Sequence, residues 1–143
     1  MEPLESLANG GGGPAPLLVV DGANVVGSVP DGWWRDRHGA AERLRDALVA
    51  VGRDGLPGVP GPLTVVLVVE GAARGVGSVP GVRVVAADGS GDDRIVRVVA
   101  EESAPGHRCL VVTADRGLRA RVVALGAEPL GPRTVRPAGR RDA

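Results

Sequence analysis

Three apolar runs in this chain each lead into an acid, and those acids are where chemistry could be done. Leu17-Leu18-Val19-Val20 ends at Asp21, Leu63 to Val69 ends at Glu70, and Arg108 to Val112 passes through Thr113-Ala114 to Asp115. A further pair, Asp92-Asp93, opens the helical stretch that follows the short run Val82 to Ala86. Carboxylates are hard oxygen donors, suited to Mg2+ or Mn2+, which keep several of their own waters. Such an ion can activate water and neutralise the charge that develops on a phosphoryl group. The candidate metal ligands are Asp21, Asp92, Asp115 and Glu70, and the candidate catalytic acids are Asp21, Asp92, Asp93 and Asp115. Without a cation such a cluster is unfavourable: two carboxylates about 4 Å apart repel by roughly 4 kcal/mol at an effective dielectric of 20. Helix capping is the competing account of Asp92 and Asp115, because Asp is favoured at helix starts in any case.

The elements that must carry these acids alternate in type. The runs Leu17–Val20, Leu63–Val69, Val82–Ala86, Arg108–Val112 and Ala127–Leu130 are short and rich in Val, the form of strands buried on both faces of a parallel sheet. Between them lie helical spacings. Trp34 to Val51 carries Ala41, Leu44, Ala47, Leu48 and Val51 on one face; Gly91 to Ser103 carries Ile95, Val98 and Val99; Asp115 to Leu125 carries Leu118, Val122 and Leu125, with Gly126 to end it. Gly52 to Pro62, dense in Gly and Pro, reads as a loop. Alternation of this kind predicts a single α/β domain over 17–132, a three-layer sandwich around a mostly parallel sheet. Residues 1–16 read as a disordered arm and 133–143 as an Arg/Pro-rich tail. In an open parallel sheet, ligands bind outside the carboxyl ends of the strands. The acids are expected at that edge.

Composition narrows the chemistry further. All seventeen basic residues are Arg, and with no Lys there is no Walker A loop, no Schiff base and no catalytic lysine. Abundant Ala, Gly, Pro, Arg and Val is the imprint of a GC-rich coding sequence, so the Arg count carries little functional weight. Net charge is zero, but uneven: residues 1–102 hold fourteen acids and nine Arg, residues 103–143 three acids and eight Arg. The lone Cys109, within an apolar run, excludes an internal disulfide and reads as a buried thiol. No signal peptide and no apolar stretch of membrane-spanning length is evident, which predicts a cytoplasmic protein without membrane contact. Gly89-Ser90-Gly91-Asp92-Asp93 is no dinucleotide loop, since it places acids where a pyrophosphate would sit. Trp33-Trp34-Arg35-Asp36-Arg37 offers aromatic faces beside guanidinium groups, with one Trp expected to pack and the other to touch ligand.

Taken together, Asp21-Gly22-Ala23-Asn24, Gly91-Asp92-Asp93-Arg94-Ile95 and Thr113-Ala114-Asp115-Arg116-Gly117-Leu118 resemble the NYN branch of the PIN-like nucleases, YacP-like bacterial proteins among them. The resemblance spans about Leu17 to Leu130, with the three motifs in order. It implies a PIN-like fold and a Mg2+- or Mn2+-dependent ribonuclease. By position it implies that Asp21, Asp92, Asp93 and Asp115 form the acidic site. Asn24 would orient the first Asp or contact phosphate, and Thr113 would hold a metal water or a phosphate oxygen. Where relatives commonly end the second strand in Asp, this chain has Glu70, whose longer arm would reach the ion through water. Arg116, Trp34, Arg35 and Arg37 complete the candidate RNA-binding set. Adjacent residues at a helix start point about 100° apart, so only one of Asp92 and Asp93 is expected beside the metal, the other bracing an Arg or a water. The rival readings are a nucleotide phosphohydrolase using the same acids and a non-catalytic module that binds RNA or protein. A homo-oligomer or a protein partner is compatible with either.

Overall fold

The computed structural model describes residues 14–29, 31–103 and 106–135. Strand β1 (Leu17–Asp21) passes directly into a short helix α1 (Gly22–Gly27), and a 3-10 turn at Trp33–Arg35 leads to α2 (Arg37–Asp54). A two-residue hairpin, β2 (Gly55–Leu56) and β3 (Val59–Pro60), precedes β4 (Thr64–Val69), a 3-10 turn at Gly71–Ala73 and β5 (Val82–Ala86). Then come α3 (Gly91–Glu102), β6 (Cys109–Val112), α4 (Arg116–Ala124), β7 (Glu128–Leu130) and a closing 3-10 turn at Pro132–Thr134.

The main sheet is parallel throughout, in the order β5-β4-β1-β6-β7. The central strand β1 pairs Val20 with Leu67 of β4 on one side and with Val112 of β6 on the other. Successive side chains of a strand face opposite ways, and this sheet uses both faces. Leu18, Val20, Val65, Leu67, Leu110 and Val112 pack with Val25 and Val26 of α1 and Ala41, Leu44 and Leu48 of α2. Leu17, Val19, Val66, Val68 and Val111 pack with Ile95, Val98 and Val99 of α3 and Leu118 and Val122 of α4. That double burial is why the strands are unbroken apolar runs rather than alternating ones. Cys109 is buried in the second layer, and burial pushes its thiol above the ordinary value.

The strands lie within a residue or two of where the sequence places them, as do α3 and α4. Four corrections concern the segments between and beyond them. Gly52 to Pro62 is not only a loop: α2 continues through Asp54, and Pro57-Gly58 turns β2 into β3, with Gly58 at φ 79°. The six residues of α1 are too few to show helical periodicity and escape a sequence reading. At the far end, Val135 is buried in the α1–α2 layer, so packing runs past 132 rather than fraying from Gly131. At the near end, the Pro16 carbonyl accepts from Thr64 N at 2.9 Å, and the Ala15 carbonyl meets His107 Nε2, so residues 15 and 16 are tied to the amino end of the sheet. The rest of the expected arm and tail lies outside the described residues. Among the described residues no helix is long and apolar enough to cross a membrane.

Candidate active site

The chain leaves β1 toward β4 and β5, then returns to the other side of β1 for β6 and β7. The switch point of the sheet is therefore between β1 and β6, and a crevice opens there at the carboxyl ends. Asp21 stands at that point. It is 6% exposed, and it is one of two buried polar or charged side chains among the described residues, the other being Thr113. Asp21 Oδ1 accepts from the Asn24 backbone N–H at 3.2 Å, which caps α1, and Oδ2 accepts from the Thr113 hydroxyl at 2.8 Å. Gly22 is dictated by the same geometry, since a Cβ there would lie 2.6 Å from the Val68 carbonyl oxygen of β4. The turn from β1 into α1 can hug the neighbouring strand only without a side chain.

Around Asp21 the two halves of the switch point are tied together. Asn24 Oδ1 accepts from the Ala114 amide at 2.8 Å, fastening α1 to the loop after β6. Thr113 Oγ1 accepts from the Asp115 amide at 3.1 Å, and the Thr113 carbonyl accepts from Arg119 Nη1 at 2.7 Å. Thr113 was expected to hold a metal water or phosphate oxygen, but it is fully buried, and its hydroxyl is engaged by Asp21 and Asp115. Its place is behind the acids, orienting them. Asp115 caps α4, accepting from Leu118 N at 2.9 Å, and its exposed carboxylate lies at the edge.

On the other flank, Ser90 caps α3 and accepts from Asp93 N at 3.3 Å. This Ser-x-x-Asp spacing is a legible start signal within the glycine-rich stretch. Glu70, at the end of β4, accepts from the Gly91 amide at 2.6 Å through Oε1. Asp92 and Asp93 then diverge. Asp93 is exposed and receives Arg121 Nη1 at 3.0 Å, whereas Asp92 is half-buried and turned toward the other acids. Burial pushes the Asp92 carboxyl above the usual range, and the charges of Asp115, Glu70 and Asp93 add to it, against the lowering effect of Arg121. Burial likewise raises Asp21; its two hydrogen bonds oppose the rise, and the charges of Asp92 and Glu70 reinforce it. Asp92 thus feels both sides of the crevice. The four carboxylates form one electrostatic unit carried by β1, β4, α3 and α4.

Among the described residues no three Asp, Glu, His or Cys side chains close into a ready ligand cage. The donor set nevertheless fits a hard divalent ion. It is all oxygen, its members repel one another, and Mg2+ or Mn2+ needs only one or two direct carboxylates when it keeps its waters. Asp21, Asp92 and Asp115 are the residues that could hold such an ion.

Beyond the acids, Trp33 is half-buried and Trp34 is 52% exposed, the two rings meeting edge to face with centroids 6.1 Å apart. Arg37 lies over Trp33 at 5.2 Å and Arg35 over Trp34 at 5.7 Å. Arg116, the first residue of α4, is exposed beside Asp115. Two residues that the sequence reading did not single out also shape the site: Arg119, which clips the Thr113 carbonyl, and Arg121, which draws Asp93 aside. Their i, i+3 spacing from Arg116 and Leu118 puts them on α4, but nothing local says what they reach.

No family model and no curated protein matches the sequence. Solved structures do. Rae1 (YacP) from Bacillus subtilis superposes with a TM-score of 0.66 at 19% identity, over 83% of this chain and 70% of that one. A point mutant of the same protein superposes at 0.63 and 18% identity, over 84% and 72%. The fold is the PIN-like fold of YacP. The likeness expected from the three short motifs is therefore met in the architecture. The PIN-like sheet accounts for the spacing of those motifs, because each one follows, or opens the helix that follows, a strand ending at the same edge.

Proposed function

We propose that this chain is a ribonuclease that hydrolyses phosphodiester bonds at the carboxyl edge of its sheet, with Mg2+ or Mn2+ held by Asp21 and Asp92 and assisted by Asp115. One observation carries the reading. Asp21, buried at the switch point of the sheet, is oriented by Asn24 and Thr113 and faces the charges of Asp92 and Glu70, an arrangement that costs the fold stability unless a cation is bound. The PIN-like fold and the resemblance to NYN nucleases support it.

The ion, when bound, would lower the pKa of a water and stabilise charge on the phosphoryl oxygens. The chain's own residues do the rest. Thr113 and the Asn24 amide hold the Asp21 carboxylate with its remaining lone pairs toward the crevice. Asp92, crowded by Asp115, Glu70 and Asp93, offers the second carboxylate, and a bound cation would offset the repulsion that raises it. Asp93 stays with Arg121 outside the crevice, holding α3 against α4. Arg116, Arg35 and Arg37 provide positive charge at the rim for an RNA backbone, which the acidic floor alone would repel.

Labelled RNA and a panel of nucleoside triphosphates, each incubated with the protein in EDTA and in Mn2+, test the reading. RNA cleaved only with Mn2+ is the expected result. Triphosphate hydrolysis with intact RNA would replace it by a nucleotide phosphohydrolase, and binding of RNA without turnover of either substrate would leave a non-catalytic module.

A further inference from the structure

A recess opens beside Glu70, next to the acidic crevice. Apolar Val26, Val69 and Ala73 line it together with Trp33, Arg37 and Glu70. The Arg37 guanidinium lies 5.2 Å from the Trp33 ring centroid, so a base seated on that indole must displace or stack on a flat, weakly hydrated group. Glu70 is held by its Oε1 bond from the Gly91 amide, and Oε2 is left outside that bond. Gly91 must itself be glycine here, since a Cβ would lie 2.1 Å from Glu70 Oε1. The acid is therefore a fixed acceptor rather than a free arm.

We propose that this recess is a nucleobase subsite that selects guanine, the base lying against Trp33 and its Watson–Crick edge donating to Glu70. The inference rests on the ribonuclease reading above and adds the base that the site recognises. A slot with apolar and aromatic walls takes a planar ring in single-stranded RNA, where bases can be splayed out and read on that edge. An ionised carboxylate only accepts hydrogen bonds. Guanine presents N1–H and the N2 amino group side by side. Uracil presents one N–H between two carbonyl oxygens, which a carboxylate repels, and adenine and cytosine each set one amino group beside a ring acceptor. Guanine is therefore first and uracil last. On this assignment Glu70 reads the substrate and is not a ligand of the ion.

The test uses the full chain in Mn2+ with oligoribonucleotides that are identical except for G, A, C or U at one position. That position is moved along the strand to find the register that fills the recess. Cleavage with G is expected about tenfold or more faster than with U. Glu70→Gln, which replaces one acceptor oxygen by a donor, should bring the G/U ratio near one, and Trp33→Leu should slow the G strand most. Base-blind cleavage by the wild type, or a Glu70→Gln variant that slows all four strands equally, overturns the proposal and leaves the ribonuclease standing. If the wild type cleaves no RNA, the ribonuclease reading fails, and binding alone decides the recess. The chain has two Trp and no Tyr, so emission reports on Trp33 and Trp34. In EDTA, 5′-GMP should change that emission at lower concentration than 5′-UMP, and Glu70→Gln, checked by circular dichroism for an intact fold, should lose the difference. Equal responses to the two nucleotides would sink the subsite.

Discussion

Toward the amino ends of the strands, acids sit against arginines. Arg108 donates to both carboxylate oxygens of Glu128, at 2.7 and 3.0 Å, and holds that carboxyl below its ordinary value, while Arg83 meets Glu102 and Arg53 meets Asp54. At the carboxyl ends Asp21, Glu70, Asp92 and Asp115 face one another, and burial raises Asp21 and Asp92 instead of lowering them. The same residue types serve opposite purposes at the two edges. Exposed pairs contribute little and keep the surface soluble. Uncompensated, partly buried acids cost stability, and a fold keeps such a cost at a site that acts on a ligand.

Mutations at the two edges should therefore differ most in activity. Asp21→Asn and Asp92→Asn should each lower Mn2+-dependent RNA cleavage by about a hundredfold or more, since stabilisation by a bound ion is worth several kcal/mol. Arg108→Ala should leave the rate unchanged. Equal losses at both edges, measured in single-turnover assays with circular dichroism intact, would remove the contrast.

Next in size is the cost of crowding the turn that presents Asp21. Gly22→Ala drives a Cβ against the Val68 carbonyl and should destabilise the protein by about 1–3 kcal/mol. Urea unfolding reads it directly, and a neutral result would show that α1 can move away from β4.

A smaller effect has a sign that separates a metal site from a row of helix caps. Asp92→Asn removes a repelled charge from a carboxylate that gains no hydrogen bond among the described residues, so the variant should melt a few degrees higher than wild type in EDTA. It should also gain less from millimolar Mn2+. Asp115→Asn keeps its capping oxygen and should shift the same way by less. A lower melting point in EDTA together with an unchanged Mn2+ shift would falsify the convergent site.

The pH dependence follows from the same shifts. Asp21 and Asp92 have folded values above their unfolded ones, so the native state binds protons first as pH falls. Their contribution to stability is fully present below the unfolded value and is lost as pH rises through the folded one. Metal-free protein should accordingly lose stability from these two acids as pH rises from about 4, the unfolded Asp value, through the higher folded ones. The lowered Asp54 and Glu128 work the other way only at more acidic pH, and both are too exposed to weigh much. Asp92→Asn should flatten the slope, and Mn2+ should invert it. The smallest change expected is in Arg108→Ala, at most about 1 kcal/mol and reduced by salt.

The sequence by itself determined the sheet and the edge at which the acids gather. Runs such as Leu17 to Val20 and Thr64 to Val69 are buried on both faces, and a strand of that kind carries its own signature in four to six residues. Chain order then forces Asp21, Glu70, Asp92 and Asp115 toward one end, because every strand in a parallel sheet points the same way. What each acid does there was decided only by tertiary structure. Asp92 and Asp93 are neighbours of identical chemistry, yet one pairs with Arg121 of a different helix and the other feels the charges of Asp115 and Glu70 from two other elements. Thr113 follows β6 as a substrate-contacting residue would, and only its full burial against Asp21 shows it to be a support. Helix α1 and the close approach of Gly22 to Val68 are equally invisible along the chain. These contacts join residues 28 to 92 positions apart, and no local pattern of hydrophobicity or capping encodes which partner a polar side chain finds across such a distance.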